Sequence, residues 1–270
     1  MADHFVLFSI LPYQLEAIDE ASTRYIDEVE IQAGWKTPLV CLWATSAFTH
    51  IGSESDTSYC KNKAEDTTMT IESMLALDKS DLQVVAQTAL PAEDIPQLVD
   101  LLSVKDDEIR YRAFLLLQGR AAAASDVYPY WQIFQDKLKS ENSYQRSLGL
   151  MLMAENAKWD AANKLDAALD DYLALMQDEK PITVRQCIQS LGKIVPHKPQ
   201  LSETIATALM ALDLMAIKET MRKSVLLDIL HALLLIRQSF RSDEIESYIQ
   251  RALSGGILDK KAIKQIEALF

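Results

Sequence analysis

The chain has 270 residues, of which 49% are hydrophobic, with only 7 Gly and 8 Pro. Ala, Leu, Gln, Glu, Lys and Met dominate, which is typical of a mostly helical protein with ample material for a core. The formal net charge is −12. Because an acidic surface repels phosphate groups at long range, this charge disfavours non-specific binding to nucleic acid or to an anionic membrane.

The cysteine pattern does not indicate a metal site. Cys41, Cys60 and Cys187 are widely spaced, with no CxxC pair and no Cys/His group at the spacing of zinc ligands. We therefore expect reduced thiols in a cytoplasmic protein that uses neither a metal nor a cofactor. No apolar run approaches the roughly 18 residues that a membrane span requires, so we expect no membrane partner.

The first quarter of the chain differs from the rest. Residues 1–68 hold 4 Lys/Arg against 11 Asp/Glu, whereas residues 69–270 hold 23 against 28. Residues 52–68 are rich in Ser, Thr, Asp and Lys, which is typical of a linker. We predict an acidic N-terminal segment over 1–68, either a cap or a tail, followed by a patterned domain over 69–270. The sequence leaves open whether the native protein starts at Met1 or at Met69.

The patterned domain repeats one motif four times. In each copy an apolar helix ends in a short polar turn, and a second helix opens with an Arg shortly after a bulky apolar residue. The turns are Asp106-Asp107-Glu108, Glu141-Asn142-Ser143, Asp178-Glu179-Lys180 and Lys218-Glu219-Thr220. The openings are Ile109-Arg110, Tyr144-Gln145-Arg146, Val184-Arg185 and Met221-Arg222. The apolar residues are 35, 40 and 37 residues apart, and such periods are typical of stacked two-helix units.

Hydrophobic periodicity places helices throughout this domain. A short pair is predicted at 71–77 and 81–90, and a final pair at 243–253 and 259–270. Between them, four longer pairs are predicted at 93–103 with 107–122, 127–139 with 143–156, 165–177 with 182–195, and 202–214 with 219–238.

These residues resemble HEAT repeats of the armadillo-like α-solenoids. The best match runs from Asp178 to Gly192, where an acidic turn leads to Val184-Arg185 and then to Leu191-Gly192. The resemblance covers about residues 70–255. It implies an all-α, right-handed α-α superhelix of five or six helical pairs whose second helices line a concave surface. It implies no catalytic residue.

The helical phase of the second helices predicts which residues line that surface. We take Ile109, Tyr144, Val184 and Met221 as buried, and positions two and nine further on then point away from the core. The residues selected as the partner-binding face are polar to basic, with some apolar surface. They are Tyr111, Gln118, Arg146, Gln186, Lys193 and Lys223.

Two other groups of residues have structural interpretations. Arg110, Arg185 and Arg222 fall on the flank of their helices, where we expect them to bind neighbouring acids and turn carbonyls. Arg146 is displaced by one position in the motif. The sequence leaves open whether it has the same role or points into the groove of the concave surface. A Trp at helical spacing usually fills a core or an interface, which we expect for Trp131 and Trp159.

The most economical function is a non-enzymatic scaffold or adaptor that binds another protein or a peptide segment through the concave face. One alternative resembles the alkyl-purine DNA glycosylases built of HEAT-like repeats, for which Trp159-Asp160 is the only Trp-Asp pair available. A second alternative is a structural subunit of a larger complex. The chain itself is then either a monomer or one subunit of a hetero-complex.

Overall fold

The computed structural model describes residues 70–88 and 90–270, and these residues form helices and turns without a strand. The α-helices of this part of the chain are α1 Ile71–Leu75, α2 Lys79–Thr88, α3 Ile95–Leu101, α4 Asp107–Ala123, α5 Trp131–Lys137, α6 Ser143–Asn156, α7 Lys164–Ala174, α8 Pro181–Ile194, α9 Ser202–Met210, α10 Glu219–Ile236, α11 Asp243–Ser254 and α12 Lys260–Glu267. Short 3-10 helices cover Ala92–Asp94, Ser125–Tyr130, Ala157–Trp159, Leu175–Gln177 and Pro199–Leu201. The predicted acidic segment 1–68 and its boundary at Met69 lie outside the described residues.

The even-numbered second helices stack in the order of the chain. α2 packs on α4, α4 on α6, α6 on α8, α8 on α10 and α10 on α12. The first helices α3, α5 and α9 pack on the second helices that follow them, and in the third pair the 3-10 helix Leu175–Gln177 makes this contact. Units that contact only their sequence neighbours define a helical repeat stack, so the protein has an armadillo/HEAT-like repeat fold.

Polar residues of the turns determine where the second helices begin. Asp106 accepts a hydrogen bond from the backbone N–H of Ile109 at 3.0 Å, and Asn142 accepts one from Tyr144 at 2.9 Å. Each side chain replaces a bond that the first turn of a helix cannot make internally. Pro181 is the first residue of α8, a position where its missing N–H costs nothing.

Close packing of the stack depends on a glycine in α6. A Cβ at Gly149 would lie 2.5 Å from the carbonyl oxygen of Phe134 in α5, which is backbone and cannot move aside. Phe134 and Trp131 of α5 are fully buried beside this contact. The prediction that Trp131 fills the core is therefore confirmed.

Five of the six first helices are shorter than the sequence indicates, the exception being α11. Five of the six second helices begin and end within two residues of their predicted ends, whereas α12 ends at Glu267, three residues early. The helix predicted over 202–214 ends at Met210. The side chain of Asp213 then accepts a hydrogen bond from the backbone N–H of Met215 at 2.8 Å, which offers the chain a local turn in place of another helical turn. None of the helices in the described part of the chain combines the length and the apolarity that a bilayer crossing needs.

Candidate partner-binding surface

Three of the recurring arginines fold back on the turns that precede their helices. Arg110 donates to the carbonyl of Val104 at 2.8 Å, and Arg222 donates to the carbonyl of Ile217 at 2.9 Å. Arg146 lies one position later in the motif but makes the same contact, to the carbonyl of Ser140 at 2.7 Å. Carbonyls in a turn have no helical partner, so the guanidinium group satisfies them.

Two arginines also join neighbouring units through buried ion pairs. Arg146 donates two hydrogen bonds to the carboxylate of Asp178, at 2.6 and 2.9 Å. Arg185 pairs with Asp228 in the same two-pronged way, at 2.7 and 3.3 Å. None of the four side chains is more than 11% exposed. These arginines therefore hold the stack together, and a bound partner would reach little of them.

Two of the six residues predicted to line the partner-binding face are buried. Tyr111 is 8% exposed and Gln186 is 6% exposed. For Tyr111 the cause is the helical phase assumed for α4. Ile109 was taken as the buried reference of this helix but is 37% exposed. Arg110, one residue further on, is buried instead, so the helix is rotated from the predicted orientation. In α8 a different reason applies: Gln186 lies in the middle of a helix that packs between α6 and α10.

Of the other four predicted residues, Arg146 is held in its ion pair with Asp178, and three are accessible on the second helices. Lys223 of α10 is 48% exposed and pairs with Asp259, the residue before α12, at 2.6 Å. Gln118 of α4 is half-buried, and Lys193 of α8 is 52% exposed. The structure thus leaves three of the six residues accessible, in three different units.

Gln118 and Lys193 converge on one acid that the sequence analysis did not select. The side chain of Gln118 donates to Oε1 of Glu155 in α6 at 3.2 Å, and the ammonium group of Lys193 donates to the same oxygen. We call these three residues the Glu155 row. The repeat spacing could have identified Glu155 from the sequence. It lies 37 residues after Gln118 and 38 residues before Lys193, which is one repeat in each direction.

Basic and aromatic groups flank the Glu155 row. Lys158 donates to the carbonyl of Ala122, and its ammonium group lies 5.0 Å from the ring centroid of Trp159. Burial lowers the pKa of Lys158, although Glu155 opposes this shift. Burial and the charge of Lys158 likewise lower the pKa of His197, which favours its neutral form. The surface around the row therefore carries more positive than negative groups.

The Trp-Asp pair of the glycosylase alternative is a structural unit. Both carboxylate oxygens of Asp160 are occupied: Oδ1 accepts from the hydroxyl of Tyr128 at 2.6 Å and from the backbone of Lys164 at 2.9 Å. Oδ2 accepts from the backbone of Leu165 and from the ammonium group of Lys198, both at 3.0 Å. Burial alone would raise the pKa of Asp160, but these hydrogen bonds outweigh it and hold the pKa below its ordinary value.

Trp159, the other residue of that pair, also makes a contact between units. The indole N–H of Trp159 donates to the carbonyl of Ala121 in the preceding unit at 2.7 Å. Within residues 70–88 and 90–270, no three His, Cys, Asp or Glu side chains are grouped closely enough to hold a metal ion. The arrangement is thus one of inter-unit hydrogen bonds, with an accessible patch where Lys158 and Lys193 lie beside the carboxylate of Glu155.

No protein-family model and no curated protein matches the sequence. Similar solved structures include a designed armadillo repeat protein, with 14% identity and a TM-score of 0.45 over 74% of this chain and 96% of that one. Two engineered proteins from a structural genomics consortium are also similar. One has 17% identity and a TM-score of 0.46 over 76% of this chain and 91% of the other. The second has 16% identity and a TM-score of 0.43 over 74% and 94% of the two chains. The helix contacts described above, and not these similarities, define the fold.

Proposed function

We propose that this protein is a non-enzymatic scaffold or adaptor that binds a segment of another protein along the accessible side of its second helices. The observation that carries the proposal is the Glu155 row, in which side chains of three successive units meet on one surface. A repeat stack gives a partner an extended surface, and a polar rim with aromatic groups suits protein recognition. The predicted residues Gln118, Lys193 and Lys223 remain part of the proposed binding surface.

The charge of this surface indicates the chemistry of the partner. Lys158 and Lys193 lie beside one carboxylate, Glu155, on a chain whose formal net charge is −12. A segment with Asp or Glu at one or two positions complements such a surface, and complementary charges raise the association rate and fix the register. Apolar side chains of the same segment have the half-buried Trp159 as a neighbour.

The test is a pull-down with the purified chain as bait, with and without nuclease, in which Lys193→Glu is compared with the unmodified protein. Lys261→Glu is the matched control, because Lys261 is exposed on α12 and lies outside the row. We expect at least one protein to be retained by the unmodified chain and by Lys261→Glu after nuclease treatment, and to be lost with Lys193→Glu. Equal retention by all three proteins would contradict the placement of the surface.

Introducing a charge at Gln186, although this residue belongs to the predicted face, is unsuitable for this test. Its side chain is buried, so a carboxylate there would destabilise α8 and mimic a loss of binding. Gln118→Glu is the better second variant, because it brings a like charge to Glu155 on an accessible surface.

A nucleic-acid partner is the second candidate, favoured by the lysines around Trp159. It requires an affinity that falls steeply with salt and a pull-down that loses its product after nuclease treatment. Asp160 would not serve as its catalytic acid or base in this conformation, because all four of its hydrogen bonds are donated by other groups of the fold.

A further inference from the structure

A cleft lies at the other ends of the second helices, next to the turn between α3 and α4. Its volume is about 540 Å³, and its walls come from this turn, from α5 and from the turn before α6. The lining residues are Ser103, Val104, Lys105, Arg110, Ile133, Asp136, Lys137, Ser140, Asn142 and Gln145. We call this the Lys137 cleft. It shares no residue with the Glu155 row.

The charges of the Lys137 cleft do not balance. Its lining contains three cations, Lys105, Arg110 and Lys137, and one acid, Asp136. Asp107 adds a second negative charge through its ion pair with Arg110. One positive charge is left over in a cleft of a strongly acidic chain. A group with one negative charge would neutralise it, whereas a phosphate dianion would exceed it.

Two cations of the lining, Lys105 and Lys137, form no ion pair among the described residues, and of the two Lys137 is half-buried whereas Lys105 is exposed. The ammonium group of Lys137 donates to the hydroxyl of Ser103 at 3.2 Å and to the amide oxygen of Gln145, which are both neutral acceptors. Among the described residues, no carboxylate forms an ion pair with it. Burial, and then the charge of Arg110, lower the pKa of Lys137. An arriving anion would relieve this repulsion, so the site favours a negative ligand.

Arg110 is paired with Asp107, but its charge still acts on Lys137. Two of its nitrogens bind the carbonyl of Val104 and the carboxylate of Asp107, and its guanidinium carbon lies 4.3 Å from the ring centroid of Tyr144. Its Nε is buried without a hydrogen-bond acceptor among the described residues. The planar fork is thus held rigidly and is not free to bind a second carboxylate bidentately. Lys137 remains as the direct ligand.

We propose that the Lys137 cleft binds a carboxylate side chain of an acidic peptide. The ammonium group of Lys137 would donate to the carboxylate, and the side chains of Ser103 and Asn142 offer further donors in the same lining. Ile133 forms part of the wall and is 42% exposed. It provides an apolar contact for the residue next to the acid, so the preferred motif is an acid flanked by aliphatic residues.

The probe is a pair of capped peptides, Ser-Leu-Glu-Leu-Ser and Ser-Leu-Gln-Leu-Ser, titrated into the isotopically labelled full chain at low ionic strength. We expect the Glu peptide to shift the backbone amide signals of Ser103, Val104 and Asn142, and the Gln peptide to leave them in place. The pKa of Lys137, followed through its side-chain signals, should rise towards its ordinary value when the Glu peptide binds. This second measurement needs no variant.

Lys137→Met keeps the aliphatic stem and removes the charge. We expect it to weaken binding of the Glu peptide by about tenfold, the effect of losing one charge-assisted hydrogen bond. Lys139→Met is the matched control. Lys139 is 68% exposed, pairs with Asp171 outside the cleft, and should be dispensable. Circular dichroism would verify that both variants are folded.

Three results would overturn the proposal. The first is the absence of any shift at Ser103, Val104 and Asn142 with the Glu peptide. The second is an equal response to both peptides. The third is a stronger response to inorganic phosphate than to the Glu peptide, which would assign the cleft to a different anion. Because the Glu155 row is not involved, each result leaves the proposed scaffold function to its own test.

Discussion

Two clusters in this protein follow the same plan but differ in exposure, most of all at their lysines. In each, side chains of three successive units meet on one carboxylate: Tyr128 and Lys198 on Asp160, and Gln118 and Lys193 on Glu155. The side chains of Asp160 and Lys198 are 0% and 5% exposed, whereas those of Glu155 and Lys193 are 14% and 52% exposed. We call the first group the Asp160 cluster.

The difference in exposure separates stability from recognition. A buried ion pair strongly destabilises a fold when one partner is removed, because a charge is left without compensation in a poorly solvated place. An exposed pair contributes little, since water replaces either partner. The Asp160 cluster therefore fixes how the units stack, and the Glu155 row is the one that can change partners at small cost.

The largest predicted effect follows from Asp160→Asn. Each oxygen of Asp160 accepts from two donors, so either orientation of an amide places its NH2 group against two N–H or O–H groups. The substitution also removes the nearer of the two carboxylates that face the buried Lys198, and leaves only Asp166, at 3.8 Å. We expect the free energy of unfolding to fall by about 3–5 kcal/mol. Urea denaturation followed by circular dichroism would measure it.

Asp166→Asn is the control for this variant. Asp166 also faces Lys198, but at 3.8 Å and with a side chain that is 33% exposed. Its loss should cost well under about 1 kcal/mol. Equal losses from the two variants would mean that general attraction to Lys198, and not the saturated carboxylate, stabilises the turn.

Acid should weaken the Asp160 cluster specifically. The pKa of Asp160 is lower in the folded protein than its ordinary value of about 3.9. Its contribution to stability is therefore fully present above about pH 4 and is lost as the pH falls through the lower, folded pKa. We expect the stability difference between the unmodified protein and Asp160→Asn to shrink between pH 5 and the acid end of the transition. A difference that stays constant with pH would contradict the assignment.

Sequence periodicity identified the repeats but not these clusters. The polar turns and apolar stripes are local signals, so five of the six second helices were located within two residues of their ends. The partners of Asp160 and Glu155 lie 32 to 38 residues away, where only the stacking register decides what meets. The predicted orientation of α4 about its axis was wrong because Ile109 was taken as buried. This apolar residue lies in the exposed first turn of the helix.

A smaller effect, of opposite sign, is predicted at Gln186. Both polar atoms of its amide are buried without a hydrogen-bond partner among the described residues. Gln186→Leu removes these atoms at similar volume, and we expect the free energy of unfolding to rise by about 1 kcal/mol. Gln189→Leu is the control, because Gln189 is exposed and donates to Asp228 at 3.1 Å. It should give no gain. A loss of stability at Gln186 would indicate that its amide is satisfied in solution.

The smallest predicted change in stability comes from Glu155→Gln, and it tests the comparison most directly. The variant removes the charge on which Gln118 and Lys193 converge but keeps an acceptor for both. Because Lys193 is half exposed, we expect a loss of less than about 1 kcal/mol. The freed ammonium group should then bind an acidic partner more tightly, whereas Lys193→Glu should abolish that binding. A loss comparable to that of Asp160→Asn would show that both clusters are structural, and the partner-binding surface would have to be sought in the Lys137 cleft instead.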